Sequence, residues 1–227
     1  MQTDRGREWL RREVPYAHGT AIPNPCVFPL AESEPRIAPD DVMPAESHLL
    51  LAVGRLSEEK QFKLLVQTFS NLAPRFPHWN LAILGEGAER QAIEAQIAAA
   101  GLSGRIFLPG RVGNVSTWYD RADLYVMSSR FEGFPNSLLE ALAYGLAAVS
   151  FDCATGPSDL IDDGVNGFLV PPTKGAAGLL ERLALLMSNP DIRAEFATQA
   201  AVVRERYSIS QVGENWDRVL GLGCRDN

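Results

Sequence analysis

A chain of 227 residues holds one sizeable domain plus appendages. Its 46% hydrophobic and 22% charged residues are those of a soluble globular protein, and neither a membrane span nor a signal-peptide core stands in the sequence. The net charge of −7 argues against general nucleic-acid binding. Cys26, Cys153 and Cys224 are widely spaced and form no Cys-x-x-Cys, which argues against structural zinc or a disulfide framework and for a reducing cytosol.

Residues 1–46 differ from the rest. A short helical piece, Glu8 to Arg12, carries part of a basic patch (Arg5, Arg7, Arg11, Arg12) interleaved with Asp4, Glu8 and Glu13, the pattern of a solvated helix face. Pro23, Pro25, Pro29, Pro35, Pro39 and Pro44 then forbid a regular helix. The segment reads as a linker without a fold of its own, behind the remnant of a preceding domain.

From His48 the pattern is regular. Leu49–Val53 is a short apolar run ended by Gly54, as for a strand buried on both faces. A helix over Phe62–Ala73 places Phe62, Leu65, Val66, Phe69 and Leu72 on one face. Strand Trp79–Leu84, turn Gly85-Glu-Gly87 and helix Ala88–Ala100 follow. Next come strand Ile106–Leu108, helix Val115–Arg121, strand Leu124–Met127 and a helix carrying Glu140. Strand Ala147–Phe151, a helical turn Pro157–Ile161, strand Gly167–Val170 and helices near 175–187, 190–206 and 209–220 complete the chain. This alternation predicts a doubly wound, Rossmann-like parallel sheet over 47–206, with 207–227 as a C-terminal helix and tail. Ligands of such sheets bind at the carboxyl ends of the strands.

Those strand ends carry the unusual residues. Gly54-Arg-Leu-Ser-Glu-Glu-Lys60 puts a guanidinium fork and a mobile ammonium in one loop, suited to a diphosphate or else a solvated loop balanced by Glu58 and Glu59. Gly85-Glu-Gly87 is a fragment of a dinucleotide fingerprint and weak by itself. Gly110-Arg-Val-Gly113 offers an exposed turn that could flank a base. Asp152-Cys-Ala-Thr-Gly-Pro-Ser158 reads as a turn with Ser158 a possible N-cap, or as a ligand contact. The most informative stretch is Arg130 to Gly145. Its Glu132 lies in a loop, and its Glu140 lies in a helix that Pro135 can open at the first turn. A helix N-terminus attracts phosphate. Two acids beside it fit a ligand that carries phosphates and sugar hydroxyls, as a nucleotide-sugar does; the plain alternative is a buried stripe of Leu138, Leu139, Leu142 and Ala143 with solvated acids.

The run Val53–Pro171 resembles the donor-binding half of the retaining glycosyltransferases called group 1 or family 4, with the two-domain GT-B architecture. The resemblance rests on Val53-Gly-Arg-Leu-Ser-Glu-Glu-Lys60, Gly85-Glu-Gly87, Glu132-x7-Glu140, Gly145 and Asn166-Gly-Phe-Leu-Val-Pro171. It implies that Arg55 and Lys60 hold the donor diphosphate near Gly54, Gly85 and Gly87. Glu132 would bond a sugar hydroxyl and act with Arg55 and Lys60 in catalysis, and the backbone of Gly133, Phe134, Pro135 and Asn136 would line the sugar. The N–H groups near Ser137 and Leu138 would meet phosphate, Glu140 the ribose, and Val112 the base beside Arg111. Gln61 departs from a glycine common at that place. The Asp152–Ser158 turn is similar to the subset that builds surface polysaccharides and lipid-linked oligosaccharides, and tilts the donor towards UDP. No metal or other cofactor is implied. His18, His48 and His78 stand in no motif suited to a general base.

The resemblance also implies an N-terminal domain for which this chain has no room. A truncated chain or a separate partner chain is therefore expected, with weak donor binding and poor transfer alone. The last helices are expected to expose apolar surface that the missing domain would cover. The acceptor, a glycan or lipid-linked species, would reach the site through that domain, with at most peripheral contact with the membrane's inner face. The rivals are a GT-B nucleotide-sugar epimerase, whose acid–base residues have no place in this sequence, and a catalytically silent nucleotide-sugar-binding module. One more α/β domain encoded just upstream would favour the transferase, and its absence the module.

Overall fold

The computed structural model describes residues 1–14, 16 and 18–222; Cys224 lies outside them. Helix α1 (Asp4–Glu13) is longer than its apolar pattern suggests. The Thr3 hydroxyl caps it by accepting the Gly6 N–H, Asp4 stands in its first turn, and Arg11 and Arg12 stand in its last, so cap and charges suit both ends. An extended segment and a 3₁₀ turn at Pro39–Asp41 then lead into the domain.

The domain alternates β1 (His48–Val53), α2 (Phe62–Leu72), β2 (Trp79–Leu84), α3 (Arg90–Ala99), β3 (Ile106–Gly110), α4 (Val115–Arg121), β4 (Leu124–Met127), α5 (Asn136–Ala143), β5 (Ala148–Phe151), α6 (Pro157–Leu160) and β6 (Gly167–Val170). Helices α7 (Gly175–Ser188), α8 (Pro190–Ala200), α9 (Val203–Arg206) and α10 (Ile209–Leu220) close the chain. The helix expected over 190–206 is thus two, parted at Ala201 and Val202.

The six strands form one sheet in the order β3-β2-β1-β4-β5-β6, every pair parallel. The order reverses at β1 and β4. The crevice above those two strands is the topological switch point, where doubly wound sheets bind ligands. Alternate residues of each strand feed two cores. Leu50, Ala52, Leu81, Ile83, Val126 and Val149 pack with α2, α3, α7 and α8 on one face. Leu49, Leu51, Ala82, Leu84, Tyr125 and Met127 pack with α4, α5 and α9 on the other. Strands apolar at nearly every position, with Asn80 and Ser150 the buried polar exceptions, are what such a sheet demands.

Residues 18–43, read from the sequence as a linker without a fold of its own, are fastened to the domain along their length. Ile22, Cys26 and Met43 are buried. The Cys26 N–H donates to Tyr207 O (2.6 Å), Ser33 N–H to Gly113 O (2.9 Å) and Gly113 N–H to Pro35 O (2.6 Å). The Asn114 side chain accepts from Ile37 N–H (2.9 Å) and donates to Ile37 O (3.1 Å), and Trp118 Nε1 donates to the same carbonyl at 2.8 Å. Apart from the 3₁₀ turn at Pro39–Asp41, prolines keep this strap out of any helix or sheet, so its remaining polar groups find partners one at a time. The arginine patch is likewise not all solvated, because Arg5 is paired across the fold with Asp152. Among the described residues, no helix is long and apolar enough to cross a membrane. Apolar residues of α10 (Ile209, Trp216, Val219, Leu220) are exposed, as the reading of the last helices expects.

Asn114→Ala leaves both main-chain groups of Ile37 without that side chain. It is expected to cost about 1–3 kcal/mol, read as a lower urea midpoint with an unchanged slope. Wild-type stability in this variant would show that the strap contributes nothing to the fold.

Candidate functional site

The loop after β1 and the loop after β4 meet above the switch point and are stitched together. Ser128 Oγ donates to Lys60 O at 2.7 Å, and Arg130 N–H to Glu59 O at 2.8 Å. Between them, Lys60 Nζ lies 2.6 Å from Glu132 Oε1, with only 19% and 10% of the two side chains exposed. Two charges so far out of water must neutralise each other. Arg55, exposed in the same loop, has no ion pair among the described residues. The pair and this unpaired cation stand where a ligand of the switch point would lie.

Glu140 projects from α5 on the other side of the crevice. The Tyr119 hydroxyl donates to Glu140 Oε2 at 2.9 Å. Burial raises the Glu140 pKa, and the Tyr119 hydrogen bond pulls it back down. Burial also pushes the phenols of Tyr119 and Tyr125 well up, so both stay protonated donors; the Tyr125 hydroxyl bonds Ser137 Oγ at 2.9 Å. A cleft of about 210 Å³ brings Glu140 together with Gly54, Gly85, Arg111 and Val112. Neither main-chain group of Val112 is hydrogen-bonded among the described residues, which leaves both available to a base edge.

Helix α5 begins one residue later than expected. Pro135 is its N-cap rather than part of its first turn. The Leu138 and Leu139 N–H groups both turn back to Pro135 O, at 3.0 and 3.1 Å. The Ser137 N–H has no such partner among the described residues and is the free donor at this helix end. Leu138 and Phe134 are buried, Phe134 against Tyr207 with ring centroids 6.0 Å apart, so these two side chains serve the core. Asn136 Oδ1 accepts from Asn24 of the strap at 2.8 Å. Gly133 is exposed at the crest of the loop.

Gly85 and Gly87 act through closeness of backbones. A Cβ on Gly85 (φ +139°) would overlap the Gly54 carbonyl, and one on Gly87 would overlap that of Leu56. The two turns pack backbone on backbone, with Leu56 N–H donating to Glu86 O at 2.9 Å. Gly85 also lines the cleft, whereas Gly87 shapes the loop beneath it.

Four contributors escape sequence reasoning. Tyr119, Tyr125 and Ser128 sit among apolar stretches that read as ordinary core. Thr155 lies in a turn whose ligand role was left open, and it donates its hydroxyl to the Glu132 carbonyl. The possible N-cap Ser158 is not one: α6 starts at Pro157 with Gly156 as its N-cap. His48 bonds Asp123 at 2.8 Å at the start of β1, the opposite end from the site.

Residues 34–203 match the family described as glycosyl transferases group 1. The chain belongs to that family. This group 1 chain is 31% identical over 183 residues to the amylovoran biosynthesis glycosyltransferase AmsD of Erwinia amylovora, covering 80% of this chain and 50% of AmsD. Its fold superposes on an S. aureus TarM mutant solved with fondaparinux, alpha-GlcNAc-glycerol and UDP, with TM-score 0.83 and 23% identity over 96% of this chain and 42% of TarM. It also matches the C-terminal domain of a glycosyl transferase group 1 family protein (LpcC) from Francisella tularensis, with TM-score 0.66 and 24% identity over 74% of this chain and 89% of that domain. The architecture is that of the C-terminal half of a GT-B enzyme. The chain spans about half or less of the length of the curated relatives it matches.

The raised pKa of Glu140 means that the folded chain holds this proton more tightly than the unfolded one. Stability contributed by Glu140 therefore falls as pH rises from the ordinary glutamate range to the raised value, and the cost is fully present above it. Glu140→Gln keeps an acceptor for Tyr119 and is expected to match or exceed wild-type stability at pH 7, with a flatter pH dependence by urea titration. A clear loss of stability at neutral pH would contradict a functional, destabilising carboxylate here.

Proposed function

We propose that this chain is the donor-binding half of a retaining glycosyltransferase that moves a sugar from a UDP-sugar to a glycan or lipid-linked acceptor in surface-polysaccharide biosynthesis at the cytoplasmic side. The supporting observation is the largely buried Lys60–Glu132 pair at the switch point, 2.6 Å apart, with Arg55, unpaired among the described residues, in the same loop and Glu140 in the cleft beside Val112. On this reading Lys60, Arg55 and the Ser137 N–H take the diphosphate, and Glu132 and Glu140 take sugar and ribose hydroxyls. The polysaccharide role of AmsD and the UDP bound to TarM agree with this reading.

In the reaction the bond from the anomeric carbon to the diphosphate oxygen breaks and the leaving group gains negative charge, while an acceptor hydroxyl bonds the anomeric carbon on the same face and gives its proton to the departing diphosphate. Lys60 and Arg55 stabilise that charge together with the helix end, so the chain itself supplies the neutralisation and no metal is invoked. Glu132, freed from Lys60 when the diphosphate takes the ammonium, accepts from a sugar hydroxyl. Val112 and Arg111 hold the base, and Glu140 accepts from the ribose hydroxyls. A glycosidase-like pair of acids fits less well, since each carboxylate already has its own partner, Lys60 for one and Tyr119 for the other. The acceptor would come mainly from a further domain, so the chain alone would bind donor and transfer poorly.

Calorimetry tests this. The chain is expected to bind UDP, and Lys60→Ala to weaken it about tenfold or more, the value of a charge-assisted hydrogen bond. Glu132→Ala is expected to leave UDP affinity equal or tighter while erasing any gain from an attached sugar. Absence of binding by both UDP and UDP-sugars, or an unaffected Lys60→Ala, would overturn the proposal.

A further inference from the structure

A second cleft, of about 790 Å³, opens between α1 and the loops that follow β4 and β5. Its size is that of a site for a compound of a few sugar rings. Trp9 and Phe131 both line it, and both are exposed, at 52% and 60%. Large aromatic faces left in water on opposite walls of one cleft are unusual unless something covers them. Phe131 adjoins Glu132 in the chain, and Thr155 on the cleft floor donates its hydroxyl to the Glu132 carbonyl. The cleft thus adjoins the loop that carries Glu132.

The charges point to an uncharged occupant. Arg5 lines the cleft but is committed: its guanidinium bonds both Asp152 oxygens, at 2.8 and 3.1 Å, and Cys153 O at 3.1 Å. Arg12 is paired with Glu13 at 2.8 Å. With Arg5 committed, Arg12 balanced by the neighbouring Glu13, and Glu8 adding a carboxylate, the lining favours an uncharged occupant over a phosphate; the Arg5 fork pins the α1 wall to the loop after β5. What stays open is two aromatic faces and a polar rim that includes the Glu8 carboxylate and the Thr155 hydroxyl oxygen, which can still accept a hydrogen bond. That combination suits a pyranose, whose C–H face packs on an aromatic ring while its hydroxyls bond the rim. We infer that the cleft between α1 and the Phe131 and Thr155 loops is a glycan subsite that presents the acceptor to the donor sugar, with Trp9 and Phe131 as its stacking platforms. The inference rests on the donor reading for its direction, but its binding step stands apart from it.

The test titrates the chain, with UDP present, separately with maltotriose, cellotriose and chitotriose, and follows the ¹⁵N–¹H signals of the Trp9 indole and of the Ala154 and Thr155 amides. At least one saccharide is expected to give a saturable shift of all three. Phe131→Ala and Trp9→Ala should each weaken it about fivefold or more at the two amides, whereas Trp216→Phe on α10 should leave it unchanged. A lack of shift with every saccharide, or shifts that survive both aromatic replacements, would overturn the inference. So would saturation by decyl maltoside with no response to maltotriose, which would mark an apolar docking groove. UDP binding is read calorimetrically on the same samples. Saccharide shifts without UDP binding would sink the donor reading and leave the subsite; UDP binding without saccharide shifts would do the reverse.

Discussion

A lysine and a glutamate that leave water together, Lys60 and Glu132, are the constraint around which the site is organised. Removing either partner strands the other charge in a poorly solvated place, which is strongly unfavourable. The pair therefore keeps the loop after β1 in contact with the loop after β4. The strand order makes that contact possible, because β1 and β4 are neighbours only where the sheet reverses direction. On the proposed reading, a ligand that offers phosphate to the lysine and hydroxyls to the glutamate would replace this pairing with two separate ones.

The surroundings hold those two loops in place through backbone rather than through further charges. Ser128 and Arg130 bond the carbonyls of Lys60 and Glu59, and Thr155 bonds that of Glu132. Gly85 and Gly87 let the turn after β2 press on the loop after β1 from below. Along the far side the proline-rich strap ties Asn24 to Asn136 and Cys26 to Tyr207. The strap thereby connects α1, the aromatic cleft and α5.

Most of the sheet was legible because its strands are short apolar runs ended by glycine or polar turns. Trp79–Leu84, Leu124–Met127 and Gly167–Val170 have the predicted bounds. The charged groups at strand ends were conspicuous for a related reason: Arg55, Lys60 and Glu132 stand where the pattern calls for a turn, and Glu140 in the helix just beyond; the fold pairs Lys60 with Glu132 and puts Glu140 in the cleft beside Arg111 and Val112. What the sequence hid is of two kinds. Tyr119 and Tyr125 look like core because they are core, and only their hydroxyls reach Glu140 and Ser137. The strap was hidden because its order comes from long-range bonds to Gly113, Asn114, Trp118 and Tyr207, which have no periodicity to read. Arg5 shows the same limit, since its partner Asp152 is far away in the chain.

The most direct check of the donor-site account is a crystal structure of the chain with a UDP-sugar. The account predicts the diphosphate at Lys60, Arg55 and the Ser137 N–H, with Lys60 Nζ drawn off Glu132 and the Glu132 carboxylate on a sugar hydroxyl. A nucleotide bound elsewhere, with Lys60 and Glu132 still 2.6 Å apart, would contradict it.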